Sequence, residues 1–180
     1  MLTIVTKAAR VAAWWHVGQV RKGVVPTPYF CHLAEVAELV AEATGGSDPE
    51  LVAAAYLHDA IEDAGRTRYE ITQAFGSDVA GLVVEVSDNK ALSYEQRKWE
   101  QVNDAGKLSS RAKTLKLADK IANLNSIHVD PPKNWNRERR LAYVAWARSV
   151  VGAMGGGVNP WLLEKFNHTA KLIEQKESVT

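Results

Sequence analysis

A helical segment that changes character at its end is the feature that most constrains this chain. Residues 53–65 read AAAYLHDAIEDAG, and the positions before 58 are almost all small or apolar, as in a helix buried in a core. One imidazole and three carboxylates then fall within six positions: His58, Asp59, Glu62 and Asp63. Neighbouring carboxylates repel one another, and acids at a helix C-terminus oppose the helix dipole. An exposed acidic helix end is the simplest interpretation, whereas a bound cation would remove both repulsions.

Helical periodicity runs through the rest of the chain, and no stretch shows the convincing period-2 alternation of a half-buried β-strand. Gly45 suits a helix C-cap, Asp48 an N-cap and Pro49 a first helical turn. Capping boxes at 67–70 and 93–96 predict two further helix starts. The sequence therefore predicts an all-α fold, a bundle of about eight or nine helices.

Size and composition limit the class of protein. At 180 residues the chain has the length of one domain, which we predict to span residues 1–180. A net charge of +1 argues against nucleic acid or an anionic membrane as partner, so an anionic ligand needs a local cluster of cations. The single Cys31 excludes an intrachain disulfide and favours a reducing, cytoplasmic setting. No apolar run approaches the ~18 residues of a membrane span. Homo-oligomer formation is left open.

Two further residues can share a cation with His58 and Asp59. Asp119 lies beside an apolar stripe in LKLADKIANL, where an isolated carboxylate is costly to bury. His32 lies near the start of an amphipathic helix, where a lone histidine is more often a hydrogen-bonded core residue. One shared ion accounts for all four side chains, and such nitrogen and oxygen ligands suit Mn²⁺, Fe²⁺ or Zn²⁺. His16 is interpreted as a structural or supporting residue.

Four blocks of the sequence carry a resemblance to a known family. They read HVGQVRKGVVPTPYFCHLAEVA at 16–37, YLHDAIEDAG at 56–65, VSDNK at 86–90 and KLADKIANL at 116–124. In this order they resemble the HD-domain metal-dependent phosphohydrolases, and within them the (p)ppGpp hydrolase domain of the RelA/SpoT group. The resemblance is strongest to its stand-alone small alarmone hydrolases of the Mesh1 type, and it spans nearly the whole chain. It implies a single HD-type helical domain and a hydrolase of the stringent response.

The resemblance also implies an active site with one Mn²⁺ ion, other divalent metals being left open. By position, its ligands would be His32, His58, Asp59 and Asp119. Glu62 and Asp63 take the place of the family's catalytic acid pair, which orients and deprotonates the water that attacks phosphorus. The implied reaction removes the 3′-pyrophosphate of guanosine tetra- or pentaphosphate and gives GDP or GTP.

A nucleotide pocket follows from the same resemblance. Its implied members are Arg21, Lys22, Tyr29, Lys116, Asn123, Ser126 and Tyr143. A guanidinium offers a fork of donors to phosphate oxygens, although Arg21 and Lys22 taken alone are more often a solvated pair. Asn123 lies one helical turn beyond Asp119, so it faces the same way and can reach a group bound to the ion.

Departures from the family pattern leave the substrate open. Leu33 stands where the family has proline, and Ala64 stands where it has threonine. One alternative is an HD phosphohydrolase that acts on another nucleotide, such as an adenosine alarmone or the 2′-phosphate of NADPH. The other is a non-catalytic nucleotide sensor, which the acids at Glu62 and Asp63 argue against because a sensor needs no base.

Overall fold

The computed structural model describes residues 2–179, and helices dominate that part of the chain. In chain order they are α1 Leu2–Trp15, α2 Phe30–Thr44, α3 Pro49–Leu57, α4 Ala60–Ala64, α5 Arg68–Phe75, α6 Ser77–Val86, α7 Tyr94–Asp104, α8 Ser110–Val129, α9 Arg137–Ala153 and α10 Pro160–Val179. A 3-10 turn, Ala105–Lys107, joins α7 to α8. Within the described range, the only extended pairing is an isolated bridge between Val20 and Pro28. The predicted all-α fold is confirmed.

The segment that ends in the acidic cluster forms two helices instead of one. α3 ends at Leu57, and Asp59 adopts φ −94° and ψ 3° before α4 begins at Ala60. His58 Nδ1 donates to the carbonyl of Ala55, the group that the amide of Asp59 would use in a continuous helix. This break brings the α-helices between residues 2 and 179 to ten, and it takes the backbone of Asp59 out of the helical conformation, whereas His58 keeps it.

Two helices, α3 and α8, form the centre of the packing. α3 packs against α1, α2 and α6, while α8 packs against α10, α2 and α6. α8 is buried on most of its surface, and its buried positions include three lysines whose ammonium groups each reach an oxygen of another element. Those contacts offset the cost of burying charge, so α8 can cross the core and still carry polar groups to the site.

The predicted helix boundaries between α2 and α3 are confirmed. Gly45 takes the left-handed conformation at φ 58°, and the Asp48 carboxylate accepts from the amide of Leu51. Arg111, in the first turn of α8, donates to both oxygens of Asp48 at 2.7 and 2.8 Å. The start of α3 is thereby fixed to the start of α8, which sets the relative position of the two helices that supply the site. Both predicted capping boxes also form.

Among the helices of residues 2–179, none has both the length and the apolar character needed to cross a bilayer.

Candidate active site

Four side chains from three places in the fold converge on one point. His32 comes from α2, His58 and Asp59 from the break between α3 and α4, and Asp119 from α8. His32 Nε2 lies 3.6 Å from Asp59 Oδ2 and 3.4 Å from Asp119 Oδ1. His58 Nε2 lies 3.1 Å and 3.7 Å from the same two oxygens. The structure therefore brings together the four residues that the sequence predicts as metal ligands.

Three of these four side chains, those of His58, Asp59 and Asp119, are held by hydrogen bonds to neighbouring groups. Because a carbonyl can only accept, the 2.8 Å contact between His58 Nδ1 and Ala55 O requires a proton on Nδ1, so Nε2 is the nitrogen that can bind a cation. That Nε2 is buried and has no hydrogen-bond partner. The two carboxylates are held by neighbouring donors, since Tyr29 Oη donates to Asp59 Oδ2 and Asn123 Nδ2 donates to Asp119 Oδ1, the same oxygens that face the imidazoles. This pattern of outer hydrogen bonds is typical of metal centres.

The electrostatics of the cluster call for a positive charge at its centre. Burial would lower the pKa of His58, but Asp59 and Asp119 raise it well above its ordinary value. For Asp119 the signs are reversed: burial would raise the pKa of this carboxyl group, but Lys120 and His32 hold it well below the usual range. Two buried imidazoles and two partly buried carboxylates thus fit a divalent cation, and donor atoms of His32, His58 and Asp59 all lie within 4.8 Å of one another.

A small polar cavity of about 120 Å³, here called the inner chamber, adjoins the four side chains. Its wall continues through Glu62, Asp88, Gln101, Lys116 and Lys120. Two carboxylates and two buried ammonium groups in this wall balance one another in charge. Sequence analysis did not find Asp88, Gln101 or Lys120, and for the first and last the only signal was their presence in the VSDNK and KLADKIANL blocks.

Glu62 is the acid of the predicted catalytic pair that faces the inner chamber. Its Oε1 accepts from the backbone amide of Asp88 at 2.9 Å, and its side chain is 16 % exposed. Burial, and then the charges of Asp88 and Asp59, raise the pKa of Glu62 above its ordinary value. A carboxylate with a raised pKa beside a cation centre suits a general base near neutral pH.

Asp63 faces a different cavity from Glu62. Its Oδ2 lies 3.2 Å from Tyr29 Oη, whose single proton makes the shorter bond to Asp59, and its Oδ1 lies 3.1 Å from the ammonium of Lys90. The side chain is more exposed than that of Glu62 and lines a larger opening. The two acids are adjacent in sequence, but successive side chains of a helix such as α4 point about 100° apart, so Glu62 lines one cavity and Asp63 the other.

The larger opening, here called the outer cleft, has a volume of about 470 Å³. It meets the inner chamber at Tyr29, His32 and Asn123, which line both cavities. Of the predicted pocket residues, the outer cleft contains Arg21, Lys22, Tyr29, Asn123, Ser126 and Tyr143. Lys116 instead lines the inner chamber, where its ammonium donates to the carbonyl of Val86 at 2.8 Å.

Arg21 is the cation most firmly placed in the outer cleft. Its Nη2 donates to Asn123 Oδ1 at 2.9 Å and to Ser126 Oγ at 3.0 Å. Its guanidinium also lies 5.6 Å from the ring centre of Tyr29. Arg21 therefore stands at the junction of the two cavities, where it can reach an anionic group that extends towards the cation centre.

The far end of the outer cleft is aromatic and apolar. Tyr94 and Trp135 line it with Tyr143, whose ring centre lies 5.5 Å from that of Trp135. Burial raises the pKa of Tyr143, so this phenol stays neutral. Sequence analysis missed Tyr94 and Trp135, since their place depends on how α7 and the segment before α9 cover the cleft.

His16 supports the site from behind. Its ring stacks on Tyr29 at 5.3 Å with an interplanar angle of 17°, and its Nδ1 contacts Gln19 Oε1 at 2.7 Å. Gln19 in turn donates to the carbonyl of Asp63. This arrangement agrees with the predicted supporting role.

Comparison with known proteins gives three consistent findings. The family model described as HD domain matches residues 8–147. The guanosine-3′,5′-bis(diphosphate) 3′-pyrophosphohydrolase MESH1 of Drosophila melanogaster is 41 % identical over 145 residues, with 81 % of each chain covered. Its Homo sapiens namesake is 39 % identical over 165 residues, with 92 % of each chain covered.

A solved structure is also similar to this chain in fold and in sequence. It is described as a metazoan ortholog of SpoT that hydrolyzes ppGpp and plays a role in starvation responses. The two folds superpose with a TM-score of 0.89 at 36 % sequence identity, covering 96 % of this chain and 95 % of the other.

Proposed function

The chain belongs to the HD-domain family, and we propose that it is a metal-dependent hydrolase that removes the 3′-pyrophosphate of guanosine tetra- and pentaphosphate. The products are GDP or GTP and pyrophosphate. The observation that carries the proposal is the junction of the two cavities at Tyr29, His32 and Asn123. A nucleotide in the outer cleft can extend its 3′-diphosphate through this junction to the cation centre.

The metal of the proposal is one Mn²⁺ ion. His32, His58, Asp59 and Asp119 would hold it, and two nitrogen and two oxygen donors suit this ion. Such a cation polarises a phosphoryl oxygen and lowers the pKa of a neighbouring water. Tyr29 and Asn123 keep the two carboxylates oriented for it through bonds of 2.7 and 2.6 Å.

Glu62 is the proposed general base. Its carboxylate faces the inner chamber and accepts the proton of the attacking water, whose oxygen forms a bond to the phosphorus attached to the ribose 3′ oxygen. The bond from that phosphorus to the 3′ oxygen breaks, and the 3′ oxygen leaves as the hydroxyl of GDP or GTP with the proton that Glu62 accepted. Pyrophosphate, which now carries the oxygen of the water, is the second product, and Glu62 is again a carboxylate. The raised pKa of Glu62 makes it a stronger base than an exposed glutamate. Asp63 supports this step by holding Tyr29 and Lys90 at the mouth of the cleft.

The remaining predicted residues bind the nucleotide. Arg21 and Lys22 pair with phosphate oxygens, and a fork of guanidinium donors fits them. Asn123 reaches the group beside the cation, whereas Tyr143 meets the base or ribose at the aromatic end of the cleft. Lys116 acts from the inner chamber, so we assign it to the diphosphate end of the substrate.

The extent and setting of the domain stay predictions. We propose that one hydrolase domain spans residues 1–180 and that it works in the cytoplasm on a nucleotide, without nucleic acid or membrane as partner. Whether the protein forms a homo-oligomer is left to measurement.

A substrate panel tests the proposal. The purified protein is incubated with Mn²⁺ and with ppGpp, pppGpp, ppApp or NADPH, and the products are separated by ion exchange. We expect GDP and pyrophosphate from ppGpp and GTP and pyrophosphate from pppGpp. If the protein prefers ppApp, or removes the 2′-phosphate of NADPH, then that nucleotide is its substrate instead of ppGpp. If it binds one of these nucleotides and hydrolyses none of them, it is a sensor.

A further inference from the structure

One amide side chain in the inner chamber connects two halves of the site. Gln101 Oε1 accepts from the ammonium of Lys120 at 3.0 Å, and Gln101 Nε2 donates to Asp88 Oδ2 at 2.7 Å. Lys120 follows Asp119 and lies 3.5 Å from its Oδ2. The amide of Asp88 donates to Glu62. A continuous series of polar contacts therefore runs from a proposed metal ligand to the proposed base.

Gln101 is supplied by a helix that takes little part in the core. α7 packs mainly on α9 and on the 3-10 turn that follows it, and none of its residues from Tyr94 to Asp104 is buried. The amide of Gln101 is thus not needed to fill the core. Within residues 2–179, α7 makes its hydrogen bonds to the wall of the inner chamber through Gln101, which bonds to Asp88 and to Lys120.

The chemistry of the position requires an amide. Lys120 can only donate, and the Asp88 carboxylate can only accept, so the group between them must accept on one side and donate on the other. Glutamine does both and adds no charge. A glutamate at this position would keep the contact with Lys120, but it would place a second carboxylate against Asp88, and a like charge at this distance repels.

We propose that Gln101 is a positioning residue that holds the Asp88 segment against Glu62 and so fixes the base relative to the cation centre. The proposal rests on the proposed function, because it assigns the base to Glu62. It names a residue of α7 that acts on the reaction through Asp88, with no contact to the substrate. Loss of the link lowers kcat and leaves the affinity for the nucleotide nearly unchanged.

The test exchanges the donor and the acceptor of the hydrogen bond between Gln101 and Asp88. Gln101→Glu loses the donor that faces Asp88. In Asp88→Asn the ammonium of Lys116, 3.7 Å from Asp88 Oδ1, keeps the amide oxygen on its side, so the new amide nitrogen faces the donor of Gln101. The double variant Gln101→Glu/Asp88→Asn restores the bond with its polarity reversed. Its new amide can donate to its new carboxylate and still present an oxygen to Lys116. Asn103→Asp is the matched control, because it makes the same change of amide to acid at an exposed position of α7.

We expect each single change to lower kcat by about 10- to 100-fold, the usual effect of removing a partner from around a metal centre. KM for ppGpp stays within about threefold, the control behaves as the unchanged protein, and the double variant recovers most of the lost kcat. A double variant no better than the two single losses combined overturns the proposal. So does a loss that appears in KM alone.

A second readout does not depend on turnover. Hydrogen exchange at the backbone amide of position 88, which donates to Glu62, is expected to speed up in each single variant and to slow again in the double variant. Unchanged exchange in Gln101→Glu overturns the positioning role. If the unchanged protein does not hydrolyse ppGpp, the proposed function fails on its own, and the exchange pattern still decides whether Gln101 holds the Asp88 segment.

Discussion

Replacing Gly23 with alanine is expected to raise KM for the nucleotide without changing the charge of the site. Gly23 follows Arg21 and Lys22 in the loop that borders the outer cleft. Asp130, just beyond α8, accepts from the amides of Val24 and Val25 at 2.8 and 3.0 Å. A Cβ on Gly23 would lie 2.6 Å from Asp130 Cγ and 2.9 Å from its carbonyl oxygen, so the carboxylate must move and lose both bonds.

The expected size follows from those two bonds. A hydrogen bond to a charged group stabilises by about 1.5–3 kcal/mol, and the exposed positions of Val24 and Val25 favour the lower end of this range. A second hydrogen bond still stabilises the loop in the variant, because the amide of Arg21 donates to Thr27 O at 2.8 Å and does not involve Asp130. We therefore expect about 1.4 kcal/mol of the loss to appear in substrate binding, which is a tenfold rise in KM.

Steady-state kinetics with ppGpp measure this effect on four variants and the unchanged protein. Asp130→Ala removes the same two bonds from the other side, so it should match Gly23→Ala, and the double variant should add nothing to either. Gly152→Ala is the control, since a Cβ there meets no atom within 4 Å. An unchanged KM in Gly23→Ala, or additive effects in the double variant, would refute the view that Asp130 holds the phosphate-binding loop.

Three further predictions concern the cation centre and the helix that carries it. The double variant Glu62→Gln/Asp63→Asn should still bind Mn²⁺, as measured by calorimetry, but should lose turnover. In the unchanged protein, kcat should fall as pH drops through the raised pKa of Glu62, because the base becomes protonated. Asp119→Ala should release the metal, and an unchanged metal content by elemental analysis would remove this residue from the ligand set. Asp48→Ala should lower the free energy of unfolding in urea by about 1–2 kcal/mol, as for other helix N-caps. Partial burial opposes the shift, but Arg111 holds the pKa of Asp48 below its usual value, so this contribution is present above the unfolded-state pKa and is lost as pH falls through the folded-state value.

The fold and the cation centre were predictable because their signals are local. Helical periodicity, Gly45, Asp48 and the two capping boxes fix where helices begin and end, and the structure follows them. His58, Asp59 and Asp119 stand out in sequence because each is a polar group that follows or interrupts an apolar stretch, whereas His32 was identified through the shared ion and the family resemblance. A carboxylate beside an apolar stripe, such as Asp119, needs a cation or hydrogen-bond donors in any fold, so it can be recognised as unusual without knowledge of the tertiary structure.

The supporting groups were not predictable in the same way. Gln101 lies in a polar, exposed helix where nothing distinguishes it from its neighbours, and its role depends on α7 meeting the end of α6. The break at His58 was also missed, since it follows from a side-chain bond to Ala55 that periodicity does not encode. Glu62 and Asp63 were treated as one unit, whereas the short α4 directs them to two cavities.

The most direct test of the account follows the oxygen of the attacking water. ppGpp is hydrolysed by the Mn²⁺-loaded protein in water enriched in ¹⁸O, and the products are analysed by mass spectrometry after a single turnover. The account predicts one ¹⁸O in pyrophosphate and none in GDP, because the water attacks phosphorus and the ribose 3′ oxygen leaves. Release of orthophosphate, or label in the nucleotide, would contradict it.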